Sequence, residues 1–197
     1  MDEIYIYGAS GHGKVVLDIA VRLGFKISGF IDDNPILETF ESYKVFKSLP
    51  KGGKYVIAIG DNTIREKIAS QCPNNIIVAL VHDTAIIASN VHIATGTIVA
   101  ASAVVNASST IKCNSIINTG AIVEHDCIIE DFVHISPNAT ICGGVTVGRG
   151  THIGAGAVVI PGVKIGDRCT IGAGTVVLKD VANGVTMVGN PGRVIKK

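Results

Sequence analysis

In the run Glu124-His125-Asp126 an imidazole stands between two carboxylates. A carboxylate beside a histidine orients the ring and supports the imidazolium once it forms, so the chemistry these residue types offer is proton removal near neutral pH, with His125 as general base. On a plain surface the same three residues would be no more than an exposed histidine beside solvated acids. His134 and His152 follow, 18 residues apart. The cysteines, Cys72, Cys113, Cys127, Cys142 and Cys169, are odd in number and form neither a C-x-x-C pair nor a Cys/His zinc spacing. No metal is expected, and a reducing cytosol is the simplest setting.

What positions these residues is a repeat of six. Every sixth residue from Val81 to Val177 is Val or Ile, and four residues after each comes a compact one: Thr97, Ala103, Ser109, Ser115, Ala121, Cys127 and onward to Cys169 and Thr175. A short fixed period is the mark of a solenoid whose turns stack their own side chains. Two inward positions per hexad follow, and the residue between them points outward because side chains alternate along a strand. His134 is outward on this reading, with His152 its neighbour one coil on. Cys127 and Cys169 are core. Several outward positions are apolar, which predicts that another surface covers them, and an oligomer is inferred from this.

The first eighty residues are a different module. Ile4-Tyr5-Ile6-Tyr7 reads as a buried strand, Gly8 to Gly13 as a glycine turn, and the next stretch as a helix with Val15, Val16, Ile19, Ala20 and Leu23 on one face. Strands at Ile27–Ile31, Tyr55–Ile59 and Ile76–Leu80 and a helix at Thr63–Ser70 complete a small parallel, Rossmann-like sheet. Glycines 8, 11 and 13 depart from G-x-G-x-x-G, yet amides of Gly11, His12 and Gly13 at a helix start could face a phosphate. Asp32 and Asp33, about 20 residues on, stand where an acid commonly meets a sugar hydroxyl; Gly60 ends the next strand. The other reading is a merely structural glycine turn.

Composition bounds the partners. The 17 basic and 16 acidic side chains are mixed along the chain for a net charge of +1, which gives no footprint for nucleic acid or an anionic membrane and favours a small molecule. The start of the chain lacks the basic and apolar segments of a signal peptide, and no apolar run approaches the ~20 residues of a membrane span. The expectation is a soluble, cytoplasmic protein.

From Val81 to Lys197 the hexads resemble the hexapeptide-repeat acyltransferases, and Val188-Gly189-Asn190-Pro191-Gly192-Arg193 is similar to that family's closing segment, with Gly192 in place of Ala. The whole chain, glycine turn included, resembles the PglD/NeuD-type sugar acyltransferases. The resemblance implies an α/β Rossmann-like domain over residues 1–80 and an all-β left-handed parallel β-helix over residues 81–197, assembled as a homotrimer. It implies acetyl-CoA as acyl donor and a UDP-linked 4-amino sugar as acceptor, N-acetylated with His125 as base and Asp126 raising its basicity. Related enzymes carry Glu after this histidine, and Glu124 remains a substitute for the shorter Asp126. His134, Ala155, Ala173 and Asn118 fall at positions implied to contact acetyl-CoA, although the two alanines also suit plain turns. Gly11, His12, Gly13, Asp32, Asp33 and Gly60 are the implied sugar-nucleotide contacts. Lys164, Lys179 and Arg193 could meet CoA phosphates, and a backbone N–H near Gly143 or Gly144 could stabilise an oxyanion. The rival readings are O-acetylation of sialic acid or a related sugar, a non-catalytic oligomeric sugar-nucleotide binder, and a metal-dependent enzyme of the carbonic anhydrase kind, whose histidine spacing this chain lacks.

Overall fold

The computed structural model describes residues 3–34, 36–71, 73–76 and 79–196. The N-terminal module runs β1 (Glu3–Tyr7), α1 (Gly11–Arg22), β2 (Lys26–Ile31), β3 (Thr39–Phe40), β4 (Tyr43–Phe46), β5 (Tyr55–Ile57) and α2 (Asn62–Gln71). The sheet order is β3-β4-β2-β1-β5, with parallel pairing throughout except for the β3–β4 hairpin at the edge. That hairpin has no counterpart in the sequence reading: its turn places Glu41 and Ser42 at φ 47° and 66°, a left-handed conformation that neither residue type advertises. Of the strand expected at Ile76–Leu80, Ile76 bridges Tyr55 and Leu80 opens the first coil, while Ile77 and Val78 lie outside the described residues, as do Cys72 and Lys197.

The glycine turn is shorter than the sequence suggests. Helix α1 begins at Gly11, so Gly11, His12 and Gly13 form its first turn. The buried face is Gly13, Val16, Ile19 and Ala20, and Val15 and Leu23 are exposed. Gly13 is demanded by packing, because a Cβ there would stand 2.3 Å from the Gly8 carbonyl oxygen.

Beyond Leu80 the chain winds into a parallel β-solenoid of two-residue strands on three faces, each residue pairing with the one 18 further on, as in Ile117, Ile135 and Ile153. The first face carries Ile98–Val99, Ile116–Ile117, His134–Ile135 and His152–Ile153; the second, Val104–Val105, Ile122–Val123, Thr140–Ile141 and Val158–Val159; the third, Thr110–Ile111, Ile128–Ile129, Thr146–Val147 and Lys164–Ile165. The last coil shortens, pairing Thr170 with Thr186, and Arg193–Lys196 folds back antiparallel on Thr186–Val188. Inward hydroxyls are satisfied rather than orphaned. Ser115 Oγ donates to the Glu130 carbonyl at 2.9 Å and accepts from Val133 N–H at 3.2 Å, so a polar side chain costs the core little.

On the first face the surface that covers the outward apolar residues belongs to the chain itself and not to a second copy. Leu80 and Ile98 are fully buried in one cluster with Ile6, Val16 and Phe30 of the N-terminal module, which lies on that face. The second face has no such cover among the described residues, and its first outward residue, Ile86, is 64% exposed.

Candidate active site

Three edges join the faces, and each turns through a residue at positive φ. His125 occupies the edge between the second and third faces, where Asp126 takes the left-handed position at φ 60°. This bends the Asp126 carboxylate back to the ring, and Oδ2 lies 2.7 Å from His125 Nδ1. A carboxylate oxygen only accepts there, so Nδ1 carries the hydrogen and Nε2 is left with a free lone pair. Glu124 is half-buried, and its side chain makes no hydrogen bond among the described residues. The ring lies over Gly143: a Cβ at that residue would stand 2.6 Å from both Cε1 and Nε2, so a larger residue there would displace the ring.

The amides under the ring lack caps. On the edge between the third and first faces a side chain one coil on caps the corner amide, as Asp131 Oδ1 caps Cys113 N–H and Asp167 Oδ1 caps Arg149 N–H, each at 2.9 Å. On the His125 edge the corresponding residues are Gly143 and Pro161, which offer no acceptor. Gly143 N–H accordingly has no partner among the described residues. Gly144 N–H donates to the His125 carbonyl at 2.9 Å, which removes it as an oxyanion donor and leaves Gly143. The thiols stand apart from this chemistry, since burial pushes Cys113, Cys127 and Cys142 up.

A second cluster lies on the first face beneath the N-terminal module. His134, outward by pattern, is buried there rather than solvent-facing. Its Nδ1 is 3.2 Å from the Gly60 carbonyl oxygen and its Nε2 3.0 Å from Asn118 Nδ2. Its ring stacks on His152 at 4.8 Å between centroids and lies 6.4 Å from that of His12. Burial first, and then neighbouring positive charge, lowers His134 to about 3 and His12 to about 4; His152 is lowered by burial and by Arg65. His12 Nε2 is buried without a partner. Ala155 and Ala173 lie one above the other on the edge that Asn118 enters, exposed, with Gly174 N–H bonded to the Ala155 carbonyl at 2.8 Å. Nothing stands within 4 Å of where a Cβ would sit on Gly156 or Gly174, so this edge is open to a thin chain lying along it.

The structure thus brings His12, Gly60, His134 and Asn118 together and separates them from His125, which sits on the edge opposite the first face. Asp32 is engaged within the turn, its Oδ2 accepting from Ala9 N–H at 2.9 Å and its Oδ1 from Asn34 N–H at 3.0 Å. It also borders a cavity of about 140 Å³ with Gly8, Asp33, Ile59, Lys67 and Gln71, at the C-terminal ends of the parallel strands, where open α/β sheets bind ligands. Gly11 is exposed, two residues ahead of the buried Gly13 in the same turn. Lys164, Lys179 and Arg193 are all exposed. The sequence reading missed Arg65, almost wholly buried on α2 beside Ile68 and Ala69. An arginine on the apolar face of a helix was the signal available. No helix among the described residues is long and apolar enough to cross a membrane, and none of their side chains form a group able to hold a metal ion.

A stack of hexads with this edge chemistry defines a hexapeptide-repeat transferase, and residues 144–179 match the bacterial transferase hexapeptide family (six repeats). Residues 3–72 match the PglD N-terminal domain. The acetyltransferase domain of PglB from Neisseria gonorrhoeae is similar over 99% of this chain and 100% of that one, at 34% identity and a TM-score of 0.93. Perosamine N-acetyltransferase from Caulobacter crescentus, solved with CoA and GDP-perosamine, is similar over 100% of this chain and 98% of that one, at 32% identity and a TM-score of 0.94. WeeI from Acinetobacter baumannii reaches a TM-score of 0.89 at 30% identity, over 98% and 100% of the two chains. The chain belongs to the PglD-type sugar acetyltransferases. A curated relative, the uncharacterized protein L142 of Acanthamoeba polyphaga mimivirus, is 32% identical over 93 residues, which are 45% of this chain and 19% of that protein.

Proposed function

We propose that this protein transfers the acetyl group of acetyl-CoA to the amine of a nucleotide-linked amino sugar, and that the acceptor is a UDP-linked 4-amino sugar. The observation that carries the reading is the imidazole held by Asp126 above an uncapped amide, on a chain whose relatives include a perosamine N-acetyltransferase solved with CoA and GDP-perosamine. Acetyl-CoA, as acyl donor, supplies a carbonyl already activated as a thioester, so no acyl-enzyme is needed. The residues suit it: the open edge at Ala155 and Ala173 admits a thin arm, and Gly143 N–H, unpartnered among the described residues beside the ring, can donate to a carbonyl oxygen that gains charge. His125 Nε2 accepts the proton that the amine loses as its nitrogen bonds to the acyl carbon, and the imidazolium returns a proton to the departing sulfur. Asp126 stabilises the charged ring between those events.

The separation of His125 from the Asn118–His134 cluster within one chain supports a homotrimer. If the uncovered second faces pack about a threefold axis, the His125 edge of one copy meets the Asn118–Ala155–Ala173 edge of the next. The N-terminal module, residues 1–80, then holds the nucleotide over that junction, and the β-helix, residues 81–197, carries the transfer. A reducing cytoplasm, where acetyl-CoA and sugar nucleotides are made, is the setting this reading favours.

The test is release of CoA thiol by purified protein given acetyl-CoA with UDP-linked 4-amino sugars, a GDP-linked amino sugar, or free and CMP-linked sialic acid, with products identified by mass and by hydrolysis in mild base. Fastest turnover with the UDP-linked amines, giving a base-stable amide, is expected. Turnover confined to sialic acid with a base-labile ester would replace this reading, and no turnover with any amine would end it.

A further inference from the structure

Arg65 is the largest fully buried side chain among the described residues, and no carboxylate among them receives its guanidinium. Every partner is a carbonyl oxygen. Nε donates to Asn114 O at 2.8 Å and Nη2 to Phe132 O at 2.9 Å, which are edge residues of two successive coils. Nη2 also donates to the Asn62 side-chain oxygen at 2.7 Å, and Nη1 to Ile59 O at 2.8 Å and Gly60 O at 3.2 Å. One planar fork therefore ties the loop after β5 to the solenoid at a fixed height. A lysine, with a single nitrogen, could not reproduce this span.

The consequence passes through Gly60. Its carbonyl also faces His134 Nδ1, so the neutral ring must carry its hydrogen there and present Nε2 as an acceptor. Asn118 fills that acceptor with one Nδ2 hydrogen, while its Oδ1 takes Thr119 N–H at 2.8 Å. Both ends of the amide are thereby fixed, and its second Nδ2 hydrogen is left pointing away from the pair. We infer that Arg65 is a positioning residue for acyl transfer: through Gly60 and His134 it fixes the one free N–H of Asn118 at the edge where the acyl donor lies. It touches neither substrate. Its permanent charge beside His12, His134 and His152 also opposes their protonation, which would turn His134 Nε2 into a donor and reverse Asn118.

This inference rests on the reading of the first-face edge as the acyl-donor site, and its test separates the two. Ring-nitrogen NMR of isotope-labelled histidine in the wild-type protein is expected to find His134 neutral and protonated on Nδ1, with a mixture of tautomers in Arg65→Lys. Steady-state kinetics on Arg65→Lys, His134→Asn and the double variant form a cycle in which the two losses overlap rather than multiply. Each single change should raise KM for acetyl-CoA about tenfold, and the double little more, with KM for the amino sugar moving less. An Nε2-protonated His134 in the wild type would overturn the inference, as would losses that multiply in the double variant. If Arg65→Lys does not fold, Asn62→Ala takes its place in the cycle, since it loosens the fork by removing the Asn62 bond to Nη2 while leaving the charge and the Phe132 contact. Should the wild type show no acetyltransferase turnover, the functional reading fails while the tautomer measurement still judges the placement of Arg65.

Discussion

The pose of His125 depends on what is missing beneath it. A side chain at position 143 would collide with the ring, and a capping acid at position 161 would occupy the amide that faces the same space; Gly and Pro supply neither. Two substitutions separate these contributions. His125→Ala removes the base and should lower kcat by roughly 10²–10⁴ with acetyl-CoA binding intact. Gly143→Ala keeps the base but displaces it, and displacement on the order of 1 Å costs on the order of 10²-fold in kcat. Calorimetric affinity for CoA should be nearly unchanged in both, and a Gly143→Ala enzyme with wild-type kcat would show that the ring does not work in the pose described. The candidate base was legible as Glu124-His125-Asp126, because a histidine among acids is rare enough to notice. Which of the two carboxylates meets the ring was not legible, since the contact with Asp126 depends on its left-handed turn, a conformation decided by coil stacking.

Among the elements, the coil strands were the most legible, since an unbroken period of six admits one register and the inward positions follow from alternation. The hairpin at Thr39–Phe46 was not, and neither was the first turn of α1, because Gly11 and Gly13 read as loop until the packing of Gly13 on Gly8 is seen. The cover of the first face was not legible for a related reason: the pattern says that Ile98 and His134 point outward, but not that the same chain returns to cover them. That cover has a titration consequence. His134 and His12 fall from the ordinary 6.5 to about 3 and about 4 in the folded protein, so between those values and 6.5 the unfolded chain binds more protons. Stability therefore drops as pH falls below 6.5, and at pH 5 each histidine accounts for a loss of roughly 2 kcal/mol. Thermal unfolding followed from pH 7 to pH 5 should show a falling Tm, and His134→Gln should flatten the fall. An unchanged slope in that variant would mean that the junction is wetter than the structure has it.

At the scale of the whole molecule the decisive fact is a distance imposed by topology. His125 lies on the edge between the second and third faces, and the Asn118–His134 cluster lies on the first face, so a triangular cross-section keeps the two apart within any one chain. If the site is assembled between copies, a chain lacking the base and a chain lacking the cradle are each inactive alone yet complementary when mixed. His125→Ala retains its Asn118 edge, and a variant with Asn118→Asp and Gly60→Leu retains its His125. When the two are unfolded together and refolded, mixed trimers contain junctions in which an intact His125 meets an intact Asn118 edge. Activity should return to a fraction of wild type that rises with the mixing ratio and is greatest near equal amounts. Ile122→Asp on the second face should abolish both the assembly, read by sedimentation, and the complementation, because a charge there has no partner and must be desolvated for the faces to meet. Mixed samples that stay inactive while wild-type subunits refold normally would place the whole site within one chain, and the threefold arrangement would have to be abandoned.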